Sequence, residues 1–306
     1  MIDILGLGAV AVDDFIFVEA YPPPDAKARV LRRERHCGGL AATALVAAAR
    51  LGARCAYAGV LGNDELSEFA LNCLKQEGID TGHVQRTRTA RPVYSNIVVV
   101  ERRGTRNIFF DLKNVVGAGL HTAARLVASS RVLLADNLGV RGTLRAARLA
   151  RRAGVPVVGD FDNDQDPLFS DLLALTNHLI ISHEFAATLT GTCAPEKALR
   201  KLAGGDRQVA AVTVGDEGCW YWSRGWDAPK HQKAFKVKAV DTTGCGDVFH
   251  GAYAFGLARG LPVEECIRLA AGTAALKATQ PGGQAGIPSL RAVREFMKHE
   301  CTGESC

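Results

Sequence analysis

The chain lacks the marks of several protein classes. It has no CxxC pair and no cysteine–histidine cluster at zinc-ligand spacing, and its cysteine count is odd, at nine. A disulfide framework and a structural metal are therefore not expected, and reduced thiols in a cytoplasmic protein are expected. No run of eighteen apolar residues occurs, so no transmembrane helix and no membrane partner are expected. The opening MIDILGLGAVAVDD carries acid where a secretory leader carries base. Neither charge sign dominates, because 37 basic and 32 acidic residues leave only +5. That excess suits a small anionic substrate and gives no ground for nucleic acid. Internal repeats, low-complexity tracts and Pro/Ser-rich linkers are missing too.

What is present reads as one α/β domain over residues 1–306, with 47% hydrophobic residues and 32 glycines gathered in loops. Ile2 to Val10 reads as a buried strand. Phe15 to Glu19 and Ala28 to His36 alternate like half-exposed strands, around a YPPPD loop. After Gly38-Gly39, the small-residue run LAATALVAAAR forms a helix that closes on Gly52. Cys55 to Val60 is a further strand, and Asn63-Asp64 caps a helix over 65–77. Val93–Glu101 and Arg106–Asp111, joined by RRGT, read as a hairpin. Strands at Val132–Ala135, Val155–Asp160, His178–Ser182 and Gln208–Val214 then alternate with amphipathic helices. That pattern predicts a mostly parallel sheet covered on both faces. A hairpin over Cys219–Val240 follows, then helices near 245–259, 262–278 and 288–298.

The most informative segment is Asp241-Thr242-Thr243-Gly244-Cys245-Gly246-Asp247, a polar loop running into an apolar helix. Unpaired N–H groups at a helix start, with the helix dipole, attract an anion. Gly244 and Gly246 let backbone approach a phosphate. Asp247 is placed to take a proton from an attacking hydroxyl. On spacing alone, Asp241 or Asp247 as a plain helix cap is an equal reading.

The string DTTGCGDVFHGA resembles the C-terminal signature of ribokinase-like, PfkB-type carbohydrate kinases, with Cys245 in place of the usual alanine. Gly38-Gly39 and the helix ending Arg50-Leu51-Gly52 occupy the family's double-glycine position. The resemblance implies a three-layer α/β/α sandwich with a small β-sheet lid, here about 12–36 and 92–112. It implies an ATP-dependent kinase acting on a hydroxyl of a sugar or sugar-like molecule. Asp247 would be the general base, and the N–H groups of Gly244, Cys245 and Gly246 the anion hole. Asp241 and Thr243 would help hold a monovalent cation such as potassium. The Thr213-x-Gly215-x-x-Gly218 turn, with Gly246 and Gly283, would contact the nucleotide. Asp13, preferred over Asp14 because side chains alternate along a strand, would bind sugar hydroxyls with Gly38 and Gly39.

Some positions depart from the family pattern. Leu40 and Thr43 stand where asparagines often bind sugar, and Thr43 is kept as a substrate contact. The N-x-x-E motif aligns with Ser182-His183-Glu184-Phe185, which leaves Glu184 to meet Mg²⁺ through water. Four strings, Lys27 among them, are similar to 6-deoxy-6-sulfofructose kinases, and YPPPDAKAR to ketohexokinases. Lys27 and Asp111 would meet the far end of the sugar, and Asp111 argues against a sulfonate there. A homodimer through exposed lid edges is expected. The alternatives are a nucleoside kinase of the same fold, against which scarce lid tyrosine and tryptophan count, and a non-catalytic sugar-binding regulator. Gly6 and Gly8 lack the third glycine of a dinucleotide fingerprint. Arg102, Arg103 and Arg106 read first as a solvated turn, with contact to substrate or to a second subunit across the lid as the alternative. His250 reads as a structural contact, with an approach to the phosphates as the alternative.

Overall fold

In the computed structural model, which describes residues 1–103 and 105–302, the chain begins with β1 (Ile2–Leu7), one strand in from an edge of the main sheet. It then leaves that sheet for β2 (Ala11–Val18) and β3 (Val30–Gly38), and returns through α1 (Leu40–Arg50). Short β4 (Cys55–Tyr57) and β5 (Gly59–Leu61) precede α2 (Glu65–Gln76), whose N-cap Asp64 accepts from Ser67 N. Next come β6 (Gln85–Arg86), β7 (Val93–Val100), β8 (Thr105–Asp111) and β9 (Gly117–Ala118). The alternating half follows: α3 (Ala124–Ala128), β10 (Ser130–Asp136), α4 (Val140–Ala153), β11 (Val157–Phe161), α5 (Phe169–Leu175), β12 (His178–Ser182), α6 (His183–Thr190), α7 (Pro195–Leu202) and β13 (Val209–Thr213). The chain closes with β14 (Cys219–Ser223), β15 (Lys230–Gln232), α8 (Cys245–Ala258), α9 (Val263–Ala278) and α10 (Leu290–Thr302).

The main sheet has eight strands in the order β15-β14-β13-β12-β11-β10-β1-β4. Pairing is parallel from β4 to β13 and antiparallel from β13 to β15. Its inner strands are buried on both faces, which is why they read as unbroken apolar runs. α1, α8 and α9 contribute to the core on one face, and α4, α5 and α7 to the core on the other. This is the mixed α/β architecture expected.

A second sheet, ordered β3-β2-β7-β8, stands apart from the first, and β6-β5-β9 form a third. The turn out of the main sheet comes earlier than expected. β1 stops at Leu7 because Gly8 takes φ +131, and a Cβ there would lie 2.1 Å from Asp136 Oδ1. That carboxylate accepts from Ala9 N at 2.6 Å, so only glycine permits the turn. β2 accordingly begins at Ala11, not Phe15. The expected strand 55–60 is two strands. The expected hairpin over Cys219–Val240 keeps its ladder only to Gln232, and 233–240 is irregular backbone. Gly104, in the RRGT turn, lies outside the described residues.

Candidate active site

The C-terminal ends of the parallel strands carry the polar groups, as is usual where open α/β sheets bind ligands. Asp136 ends β10 and Asp160 lies near the end of β11. The loop 241–246 crosses the same edge into α8. Gly244 is its N-cap at φ 75, in the left-handed region that glycine tolerates. Cross-links hold the loop in shape. Asp241 Oδ1 accepts from Thr243 N and Oδ2 from Gly282 N, both at 2.9 Å. Burial works to raise the Asp241 carboxyl. The bonds from Thr243 and Gly282, with the charge of Lys277, outweigh it and leave a pKa of about 2.

Asp247 sits in the first turn of α8, half-buried. Burial, and then the carboxylate of Asp160, push its pKa well above the usual range, and the charge of His250 opposes them. Burial likewise raises Asp136 and Asp160, each to about 8. Asp160 Oδ2 accepts no hydrogen bond among the described residues and lies 3.3 Å from His250 Nδ1. His250 is buried one turn after Gly246, with ring nitrogens 2.7 Å from Gly246 O and 2.8 Å from Ile180 O. A neutral ring can donate to only one of these carbonyls.

Beside the loop opens a cavity of about 580 Å³. Thr213, Gly215 and Gly218 line one side, and Cys245 and Gly246 line the end nearest Asp247. The sequence signals at 213–218 and 245–246 thus meet in one space. Phe235 and Val237, in the irregular stretch read as strand, form another part of the wall with alanines of α9. Gly283 lies behind the loop, its carbonyl 3.0 Å from where a Gly244 Cβ would stand.

The second sheet delivers Asp13. Register puts Asp13 in one row with His36, Ser95 and Phe110, so these share a face. A Cβ on Gly38 would lie 2.7 Å from Asp13 Oδ2, and one on Gly39, at φ +96, 2.7 Å from Ala9 O. Gly38 therefore lets backbone press against this carboxylate, and Gly39 lets it press against the backbone of residues 9–11. Burial raises the Asp13 pKa, and the Ser95 hydroxyl and His36 work against the rise. Asp14 faces the other way, held by Arg35 at 2.6 Å and the Tyr94 hydroxyl at 2.7 Å.

Other expected contacts come out differently. Asp111 is opposite Tyr94 in the ladder, on the face of Asp14 and away from Asp13. It is exposed and accepts from Lys113 N at 2.7 Å. Thr43 is buried, and its hydroxyl accepts from the Gln284 amide at 3.1 Å. Lys27 lies exposed in the connection between β2 and β3, at the end of β2 far from Asp13. Glu184 is exposed in the first turn of α6, and Ser182 spends its hydroxyl capping that helix. Asp241 and Thr243 do not leave their carbonyls to an ion, because the Lys277 amine donates to both.

Of two basic residues at the site, Lys277 goes unrecognised in the sequence, and Arg106 reads there only as a solvated turn or as a contact to substrate or a second subunit. Arg106, read as part of a solvated turn, reaches from β8 to the loop. Its Nη1 donates to Thr243 Oγ1 at 2.6 Å and lies 3.6 Å from Asp241 Oδ1. Lys277 had a signal, as a lone charge among the alanines and small residues of AAGTAALKA.

Comparison with known proteins accords with this geometry. The model of the pfkB family carbohydrate kinases matches residues 1–290. The ribokinase of Mus musculus is 33% identical, over 82% of this chain and 81% of its own length. The ribokinase of Haemophilus influenzae is 29% identical, over 96% and 97%. The crystal structure of ribokinase from Thermotoga maritima has a TM-score of 0.83 at 25% identity, over 97% of this chain and 100% of that one.

Proposed function

This chain belongs to the pfkB family of carbohydrate kinases, and from that premise we propose that it transfers the γ-phosphate of ATP to a hydroxyl of a neutral sugar, with Asp247 as general base. One observation carries the reading. Cys245 and Gly246 line the nucleotide-sized cavity, while Asp247, the next residue, stands among carboxylates at the strand ends. Phosphoryl transfer needs little covalent help, so positioning and charge stabilisation do most of the work. The alanines of α9 and Phe235 suit a flat apolar base, and the 213–218 turn suits ribose and phosphates. The N–H groups at the start of α8 would receive the transferring phosphoryl. Asp247 would accept the hydroxyl proton, helped by a pKa raised toward the working pH.

Magnesium suits this site only as a guest of the nucleotide. Among the described residues no group of three acids, histidines or cysteines forms a metal cage. Glu184, exposed in the first turn of α6, would meet the ion through water in this reading, and the ion would screen the triphosphate.

The four-stranded sheet serves as the lid in this reading, with Asp13 holding sugar hydroxyls by charge-assisted bonds. Closing it excludes water, and the bond from Arg106 to the loop supports such a closed state. Ile108, Phe109 and Phe110 on its edge strand are more than half exposed. They support the homodimer through the lid, since a second copy would cover them. Asp13→Asn is expected to raise the sugar KM by about tenfold, the low end of a lost charged hydrogen bond, and to leave the ATP KM nearly unchanged. Steady-state kinetics with each substrate varied in turn would show it, and an unchanged sugar KM would remove Asp13 from the site.

A nucleoside kinase is the second reading, favoured by one observation. Phe15, Phe17 and Phe110 share the Asp13 face and offer rings to a base. An ADP-release assay over ketoses, aldoses, amino sugars, sulfo-sugars and nucleosides decides between the two. Turnover of a neutral sugar is the expected result. No ADP release above the ATP-only background with any acceptor would end the kinase reading.

A further inference from the structure

Lys277 lies near the end of α9 and is fully buried, at 0% exposure. Its amine donates to Asp241 O at 2.9 Å and to Thr243 O. These carbonyls belong to the two residues from which a monovalent cation was expected to draw ligands. An ion there would need the same oxygens and would stand against a positive charge at contact distance, where repulsion in a protein interior is severe.

We propose that the Lys277 ammonium is a built-in replacement for that cation, ordering the 241–246 loop so that the chain needs no potassium. The proposal deepens the kinase reading and rests on it for what the loop does. An ammonium is a compact charge with three donors, and here it meets two converging carbonyl oxygens. The surrounding groups complete the arrangement. The Asp241 carboxylate balances the charge and ties the loop to Gly282 and to its own Thr243 N–H. One turn before Lys277, Ala274 O lies 3.6 Å from Cys245 Sγ, so α9 touches both ends of the loop. From the lid side, Arg106 bonds the Thr243 hydroxyl. The N–H groups of Gly244 and Gly246 are thereby fixed before any phosphoryl arrives, and that of Cys245 donates to Thr242 O at 3.1 Å within the same loop. Such preorganisation is what makes donors of this kind effective. A free ion must bind from solution to have this effect, whereas a lysine on a packed helix is always in place.

The test compares KCl, NH₄Cl and tetramethylammonium chloride at equal ionic strength. Its readouts are the melting midpoint, MgADP affinity by calorimetry, and kcat with the sugar identified by the acceptor screen. For the wild type all three are expected to agree between salts, kcat and affinity within about twofold, because the charge is internal. Lys277→Ala removes the ammonium and leaves room. Its kcat in tetramethylammonium is expected to fall by about 10²-fold, the scale of losing an ordered oxyanion donor. K⁺ or NH₄⁺ should restore about tenfold of that, and tighten MgADP, by occupying the vacated carbonyls. Lys277→Met, which fills the space without charge, should stay low in every salt.

A wild type stimulated more than about fivefold by K⁺ would overturn the proposal, since an internal charge leaves no such linkage. So would a folded Lys277→Ala that keeps wild-type activity, or one that no cation improves. If Lys277→Ala does not fold, the wild-type salt comparison decides alone. The melting and MgADP measurements need no sugar, so failure of the acceptor screen would sink the kinase reading and leave this one decidable.

Discussion

Asp247→Asn is expected to lower kcat by about 10²–10⁴-fold, the usual effect of removing a positioned general base, with MgATP and sugar affinities largely kept. Asparagine is nearly isosteric and keeps an acceptor oxygen in the first turn of α8, so the loop should retain its shape. What it cannot do is take a proton. Calorimetry for binding and steady-state rates for turnover separate the two effects, and a kcat within a few-fold of wild type would remove Asp247 as base. The same carboxylate sets the pH dependence. A base works only when deprotonated, and burial with the neighbouring Asp160 raises the Asp247 pKa. Activity should therefore climb with pH along a limb lying above the ordinary carboxylate range. Asp160→Asn removes a negative neighbour, so that limb should move to lower pH. A limb unmoved by Asp160→Asn would mean that some other group controls it.

Gly251→Val is expected to be among the most destabilising single changes in the chain, and Gly246→Ala, five positions earlier on the same helix, nearly neutral for stability. A Cβ on Gly251 would lie 2.0 Å from Ala44 O and 2.8 Å from Ala44 C. Both are backbone atoms of α1, which cannot swing aside as a side chain can. Valine must push α8 away from α1, and overpacking of this kind costs about 1–3 kcal/mol or more. In a chain of this size that is a fall of several degrees in melting midpoint, at about 2–4 °C per kcal/mol. A Cβ on Gly246 meets nothing within 4 Å and points into open space. Gly246→Ala should thus melt like wild type while losing turnover, because the methyl group stands where a phosphate would approach. Thermal melts of both variants, with rates on the second, check the pair. Equal melting midpoints for Gly251→Val and wild type would mean that α1 and α8 are not in close contact.

Much of this molecule is readable from its amino acids alone, for local reasons. Strands buried on both faces must be apolar runs, so the parallel half of the sheet stood out at 132–135, 178–182 and 208–214. A polar glycine loop that starts an apolar helix marks an anion site wherever it occurs, which places Asp247 and its neighbours. The choice of Asp13 over Asp14 needed only the two-residue period of a strand.

The tertiary structure decided what depends on partners far along the chain. Asp111 has no local feature that tells its face. The pairing of β7 with β8 turns it to the side of Asp14, and a slip of one residue would have reversed that. Thr43 looks like a free hydroxyl until the chain brings Gln284 to it across 241 positions. Arg106 and Lys277 come from a lid strand and a late helix, and they converge on one loop only because sheet register and helix packing put them there. Local patterns report how a segment buries its own side chains. Which distant group fills a given space is set by the packing of whole elements, and that packing put a lysine where the loop's sequence alone had suggested an ion.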